Sequence, residues 1–195
     1  MAKEIFKELQ EFLIQVCLRI AKRKEGALFV IGDVPHKVLV DQTVPSFNVL
    51  KNPKLLESLA LMDGAIVIDN KGKLVSYGSM IKSTKVFKNF GTRHSAALSA
   101  SKKADLVIMV SEEDKKIRIF KEGKMVMQID PSEKGIEKAV PEAVNVLESV
   151  GAGTLGAIGT SLLVPSLGIY LLPGIVLFGS AYYLGKNIHK HFTKG

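Results

Sequence analysis

Gly91-Thr92-Arg93-His94-Ser95-Ala96-Ala97 puts a hydroxyl, a guanidinium and an imidazole where a loop should pass into a helix. The first N–H groups of a helix have no partner of their own and attract anions, phosphate above all. An arginine in that turn does nothing for the helix dipole. It makes sense beside a bound anion, or in a salt bridge to an acidic neighbour. His94 reads as a structural histidine sooner than as a metal ligand. Asp63-Gly64 precedes the apolar run Ala65-Ile66-Val67-Ile68, and is either turn chemistry or a carboxylate presented at a strand's entrance. Ser111-Glu112-Glu113 follows Asp105 to Val110. That is the carboxyl end of a strand, where α/β folds gather ligand chemistry, although the same residues suit a solvated hairpin turn.

The elements that must position these residues can be read from hydrophobic period. Ala2 to about Arg23 repeats Ile5, Phe6, Leu9, Phe12, Leu13, Val16 and Ile20 at helical spacing, predicting an amphipathic helix that packs on its own domain, the alternative being a membrane-surface or partner helix. Glu4, Lys7, Glu8 and Glu11 interrupt any secretory core, so this helix is expected in the mature protein. Ala27 to Gly32 is an unbroken apolar run, a strand buried on both faces. Residues 33 to 52 read as loops with a short strand. Asn52 and Pro53 then supply an N-cap and a first-turn proline for a helix from Lys54 to Met62. Ala65 to Asp69 and Leu74 to about Ile81 form a hairpin around Asn70-Lys71-Gly72-Lys73. Thr92 is expected to cap a helix from Arg93 to about Lys103. Ile117 to Phe120 and Met125 to Ile129 complete a meander around Glu122-Gly123-Lys124.

A hydrophobic content of 47% is ample for a core, and excludes disorder of the whole chain. Lys+Arg of 27 against Asp+Glu of 19 leaves a charge of +8, which favours an anionic partner. Nucleic acid is the least supported such partner, because no aromatic stacking platform or DNA-reading helix pair accompanies the charge. A single cysteine, Cys17, excludes an intrachain disulfide framework and a cysteine-based zinc cluster.

In order, Gly26-Ala27-Leu28-Phe29-Val30-Ile31-Gly32, Met62-Asp63-Gly64-Ala65-Ile66-Val67, Gly91-Thr92-Arg93-His94-x-Ala96-Ala97 and Val110-Ser111-Glu112-Glu113 resemble the diadenylate cyclase domain family. The resemblance runs from about residue 25 to 130. It implies a mixed central β-sheet flanked by helices, which joins two ATP molecules into cyclic di-AMP with loss of two pyrophosphates. It further implies a divalent metal, Mn²⁺ or Mg²⁺, and two copies facing each other. Carried over by position, Asp63, Arg93 and His94 would be catalytic, with Asp63 and Glu112 on the metal. Gly64, Ala65, Thr92, Arg93, His94, Ser111 and Glu112 would hold the nucleotide, and Met80 would pack on adenine. Where many members have a second basic residue after Arg-His, this chain has Ser95. That departure motivates the alternative of a non-catalytic, membrane-attached nucleotide-binding regulator.

Residues 131 to 148 read as a helical connector interrupted at Pro141, with Val140, Ala143, Val144 and Leu147 as its packing stripe. No charged side chain occurs from 149 to 185. Breaks at Pro165 and at Pro173-Gly174 divide this stretch into segments near 150 to 164 and 167 to 185, a hydrophobic helical hairpin. Ala152, Gly156 and Thr160 allow close helix approach in lipid, the alternative being a buried soluble helical hairpin used for oligomerisation. Lys186, Lys190 and Lys194 favour a cytoplasmic end, and His189 and His191 an interfacial anchor. The expected organisation is an α/β fold in four parts: an N-terminal helix (1–24), the cyclase-like domain (25–130), the connector (131–148), and a membrane-associated hairpin with a basic tail (149–195). The catalytic domain is expected on the cytoplasmic side of a membrane.

Overall fold

The structure, a computed structural model, describes residues 2–40, 44–82, 91–151, 171–172 and 175–177. Helix α1 (Ala2–Lys22) leads into strand β1 (Ala27–Ile31), whose five residues are all buried. Strand β2 (His36–Val38) and a 3₁₀ turn (Val49–Lys51) precede α2 (Pro53–Ala60). The hairpin β3 (Ala65–Ile68) and β4 (Leu74–Ile81) follows, then α3 (Thr92–Ala100). The meander β5 (Leu106–Val110), β6 (Ile117–Lys121) and β7 (Lys124–Ile129) comes next, followed by α4 (Ile136–Gly151) and the short strands β8 (Leu171–Leu172) and β9 (Ile175–Leu177).

Among the described residues, nine strands form one mixed sheet in the order β2-β4-β3-β1-β5-β6-β7-β9-β8. β1 runs parallel to β3 and antiparallel to β5, so it occupies the middle of the sheet. Its alternate side chains divide between two cores. Phe29 and Ile31 face the cluster that includes α1, α2 and α4, while Leu28 and Val30 face a smaller cluster on the α3 side. An unbroken apolar run is what a strand covered on both faces requires.

The amphipathic face of α1 lands on its own domain as expected, with Leu9, Leu13, Val16 and Ile20 fully buried. Cys17 lies in the same core, and burial pushes its thiol pKa up, leaving it protonated and inert. The hairpin turn also forms as read, with Asp69 Oδ1 accepting from the amides of Lys71 and Lys73 at 2.8 Å each.

Several local expectations change. Asn52 stands at the N-cap of α2 but makes no side-chain capping bond; its Nδ2 instead donates to Asn48 O at 3.3 Å. Asn48 is the residue whose side chain caps, accepting from Leu50 N at 3.0 Å. The N-cap of α3 is Gly91, and Thr92 is already helical. Pro141 does not interrupt α4. A proline in a helix strands the carbonyl four residues earlier, here Glu137 O, and Gln15 Nε2 of α1 donates to that carbonyl at 3.0 Å. The predicted stripe of Val140, Ala143, Val144 and Leu147 is buried as expected.

No helix among the described residues is long and apolar enough to cross a membrane. Within the expected hairpin, 171–172 and 175–177 are strand rather than helix. Ile175 to Leu177 pair with Ile129 to Met127, extending the sheet beyond β7, and β-branched residues suit that role. The remainder of the hairpin and the basic tail lie outside the described residues.

Candidate nucleotide site

β1, β3, β5 and the N-terminus of α3 converge at one end of the sheet, and a cavity of about 650 Å³ opens there. Its lining includes Asp63, Thr92, Arg93, His94, Ser111 and Glu112, brought together from three separate stretches of chain. Asp63 is exposed ahead of β3, and its Oδ1 accepts from Gly64 N at 3.0 Å. α3 begins at the cavity with glycine as its N-cap, so no capping side chain satisfies its first N–H groups.

Arg93 lies across the entrance to β1, with Nη1 donating to Glu112 Oε2 at 3.2 Å. The two readings of a first-turn arginine therefore meet at one place. The acidic neighbour exists, and it is itself a cavity residue. Both side chains are substantially exposed, so this pair contributes little stability and can be exchanged for a ligand.

His94 is partly buried, edge-on to Phe120 with ring centroids 6.5 Å apart. Burial first, and then the nearby positive charge of Arg118, lower its pKa from 6.5, against the opposing pull of Asp114 and Glu113. The imidazole is thus neutral at neutral pH. Ser111 is buried and anchors the turn after β5, its amide donating to Lys116 O at 2.9 Å. Partial burial opposes the charge on Asp114, but hydrogen bonds from Arg118 and Ser111 prevail and hold its pKa down at about 2. Arg118 grips that carboxylate with both guanidinium nitrogens, fixing the turn that carries Glu112.

Other expected site residues occupy different places. Ala65 is 1% exposed and packed in the α3-side core. Gly64 has φ +106°, and a Cβ there would come within 2.6 Å of the backbone of Gly78 and Ser79. Its lack of a side chain serves the approach of β4. Met80 is 46% exposed and pairs with Lys37 of β2; neither it, Gly64 nor Ala65 lines the cavity. Ser95 is 3% exposed and turned into the core, so position 95 lies off the cavity wall. The lining also includes Gly91 and Glu113, which belong to the motifs already singled out, and Met109 and Lys115, which the expectations omitted. Met109 was legible as an alternate residue of a two-faced strand. For Lys115 no periodic signal existed, since its placement depends on the fold of a turn.

Asp63, Glu112 and Glu113 are hard oxygen donors around one cavity, although no group of three or more metal-ligating side chains occurs among the described residues. That donor set fits Mg²⁺ or Mn²⁺ held by one or two carboxylates together with phosphate oxygens and water.

A mixed α/β sheet with an open, carboxylate- and arginine-lined cavity at a helix N-terminus defines a nucleotide-binding domain. Residues 14–125 match the family model described as DisA bacterial checkpoint controller nucleotide-binding, DAC. The chain belongs to that family. It is similar to a diadenylate cyclase of Methanocaldococcus jannaschii, 33% identical over 119 residues that cover 54% of this chain and 38% of the relative. A diadenylate cyclase of Haloferax volcanii is 30% identical over 139 residues, covering 61% and 51%. The diadenylate cyclase CdaS of Bacillus thuringiensis is 34% identical over 117 residues, covering 55% and 58%. The matched region thus spans from under two fifths to under three fifths of these relatives' lengths. A crystal structure of DacA from Staphylococcus aureus aligns with a TM-score of 0.48 at 25% identity, covering 69% of this chain and 94% of that chain.

Proposed function

We propose that the protein is a diadenylate cyclase, condensing two ATP into cyclic di-AMP with release of two pyrophosphates. The observation that carries this reading is the convergence of Asp63, the Thr92-Arg93-His94 turn and Ser111-Glu112 on one cavity. Family membership and the names of the relatives point the same way.

In each half-reaction the 3′-oxygen of one nucleotide bonds to the α-phosphorus of the other. The bond from that phosphorus to the pyrophosphate oxygen breaks. Such transfer depends mainly on in-line placement and charge neutralisation. Arg93 and the first turn of α3 hold the polyphosphate, and neutral His94 offers a hydrogen bond without adding charge. Ser111 places Glu112, and Asp63 receives the proton of the attacking hydroxyl. A divalent cation, when bound by Asp63 and Glu112 with the phosphates, would neutralise developing charge and lower the hydroxyl pKa. One cavity holds one ATP, so the second nucleotide arrives on a second copy of the chain.

The uncharged stretch from 149 to 185, outside the strands β8 and β9 that join the sheet, supports membrane association, with the catalytic domain on the cytoplasmic side where ATP is abundant. Deletion after Glu148 should then release the protein from membranes. The catalytic proposal is tested by incubating the purified protein with ATP and Mn²⁺ or Mg²⁺ and assaying cyclic di-AMP, beside Asp63→Asn. Product from the wild type and at least a hundredfold less from Asp63→Asn is expected, on the scale of general acid–base catalysis (~10²–10⁴). ATP binding without product under either metal would overturn the cyclase reading and leave the nucleotide-binding regulator.

A further inference from the structure

The geometry points to Lys115 as a second phosphate-binding cation of this site. The inference rests on the reading that the cavity takes the polyphosphate of a nucleotide. Among the cavity-lining residues, Arg93 and Lys115 are the lysine and arginine side chains, set against the carboxylates of Asp63, Glu112 and Glu113. Arg93 is engaged with Glu112. With His94 neutral, the lining is net negative, and a polyphosphate entering it needs every cation within reach. Position 95, beside the Arg-His pair, faces the core and supplies none.

Lys115 has φ +60°, a left-handed conformation that glycine adopts freely and a lysine does not. Lys24 and Glu122 share that conformation but line no part of the cavity. The turn around Lys115 is held on both sides. Ser111 N bonds Lys116 O at 2.9 Å, Lys116 N bonds Asp114 Oδ1 at 3.3 Å, and Arg118 clasps Asp114. Held this way, the turn delivers the Lys115 ammonium to the cavity, where it donates to the main-chain carbonyl of Glu112. A phosphate oxygen is a stronger acceptor for an ammonium than a neutral carbonyl. An incoming polyphosphate therefore draws Lys115 across. Of the three described non-glycine residues that hold this conformation, Lys115 is the one placed where a ligand can use it.

Lys115→Gly separates the contribution of charge from that of fold, because glycine relieves the strain and should leave Tm unchanged or raised. Calorimetric titration with Mg-ATP and with inorganic tripolyphosphate should show affinity about tenfold weaker, with adenosine binding unaltered. Lys115→Asn, which also tolerates this conformation, should behave alike. Lys138→Gln, which removes a charge from the exposed face of α4, should match the wild type. Unchanged affinity for ATP and tripolyphosphate in both Lys115 variants would overturn the assignment, as would an equal loss for adenosine. If wild type binds ATP through Lys115 yet forms no cyclic di-AMP, the cyclase reading falls and Lys115 stands. If wild type cyclises ATP and Lys115→Gly binds it equally well, Lys115 alone falls.

Discussion

Gly26 is buried at the entrance to β1, where a Cβ would lie 2.2 Å from Arg93 Nη1 and 3.3 Å from Glu112 Cβ. Its missing side chain is the space the guanidinium occupies. Gly26→Ala should therefore push Arg93, the far end of a flexible side chain, out of place while leaving the fold intact. ATP affinity should drop about tenfold with Tm changed by only a few degrees, as titration and thermal melts would show. His94 carries a pH signature. Its folded pKa lies below 6.5, so the folded chain binds fewer protons than the unfolded chain between those two values. Stability contributed by this group is present above about pH 6.5 and declines as pH falls toward the depressed pKa. Melting temperature measured from about pH 5 to 7.5 should rise more steeply for wild type than for His94→Asn. At this scale the types of the chemistry-bearing residues were legible, whereas the space left by Gly26 was not, since it depends on chain segments far apart in sequence.

Helices α1 and α4 show how one element compensates another. Pro141 removes an N–H from α4, and Gln15 of α1 satisfies the Glu137 carbonyl this leaves. Lys22 of α1 also pairs with the Glu137 carboxylate, but both groups are exposed and the pair adds little. Gln15→Leu should cost about 1–2 kcal/mol in denaturant unfolding by orphaning that carbonyl. In a Pro141→Ala background, which restores the N–H, the same substitution should cost measurably less. Proline read in isolation predicts a break. A donor on a second helix is invisible to a local pattern, and so the continuous α4 was not foreseen. The cap of α3 shows the same limit. Thr92 is a good capping type, but the path of the chain through Gly91 assigns the position one residue earlier.

For the molecule as a whole, the candidate site of one chain is a single cavity, while the proposed reaction joins two nucleotides. Specific activity should consequently rise with protein concentration and level off once pairing is complete. Gel filtration across the same range should show the mass doubling in step. Activity independent of concentration, with a monomer throughout, would count against a site shared between two copies. The +8 charge supports attraction of ATP at long range but must be partly screened at physiological salt. Raising ionic strength should therefore weaken ATP binding more than adenosine binding.

The sequence by itself determined the amphipathic α1, the two-faced strands β1 and β5, the hairpin and meander, and the residue types able to hold phosphate. Each depends on period, local turn chemistry or motif, all of which are written within a few consecutive residues. Only the tertiary structure decided which of those residues share a cavity. It moved Gly64 and Ala65 into the packing of β3 and β4, turned Ser95 into the core, left Met80 off the cavity wall and brought Lys115 to it. These assignments depend on which face of the sheet each residue meets and on how tightly its neighbours approach, and neither is a property of any single stretch.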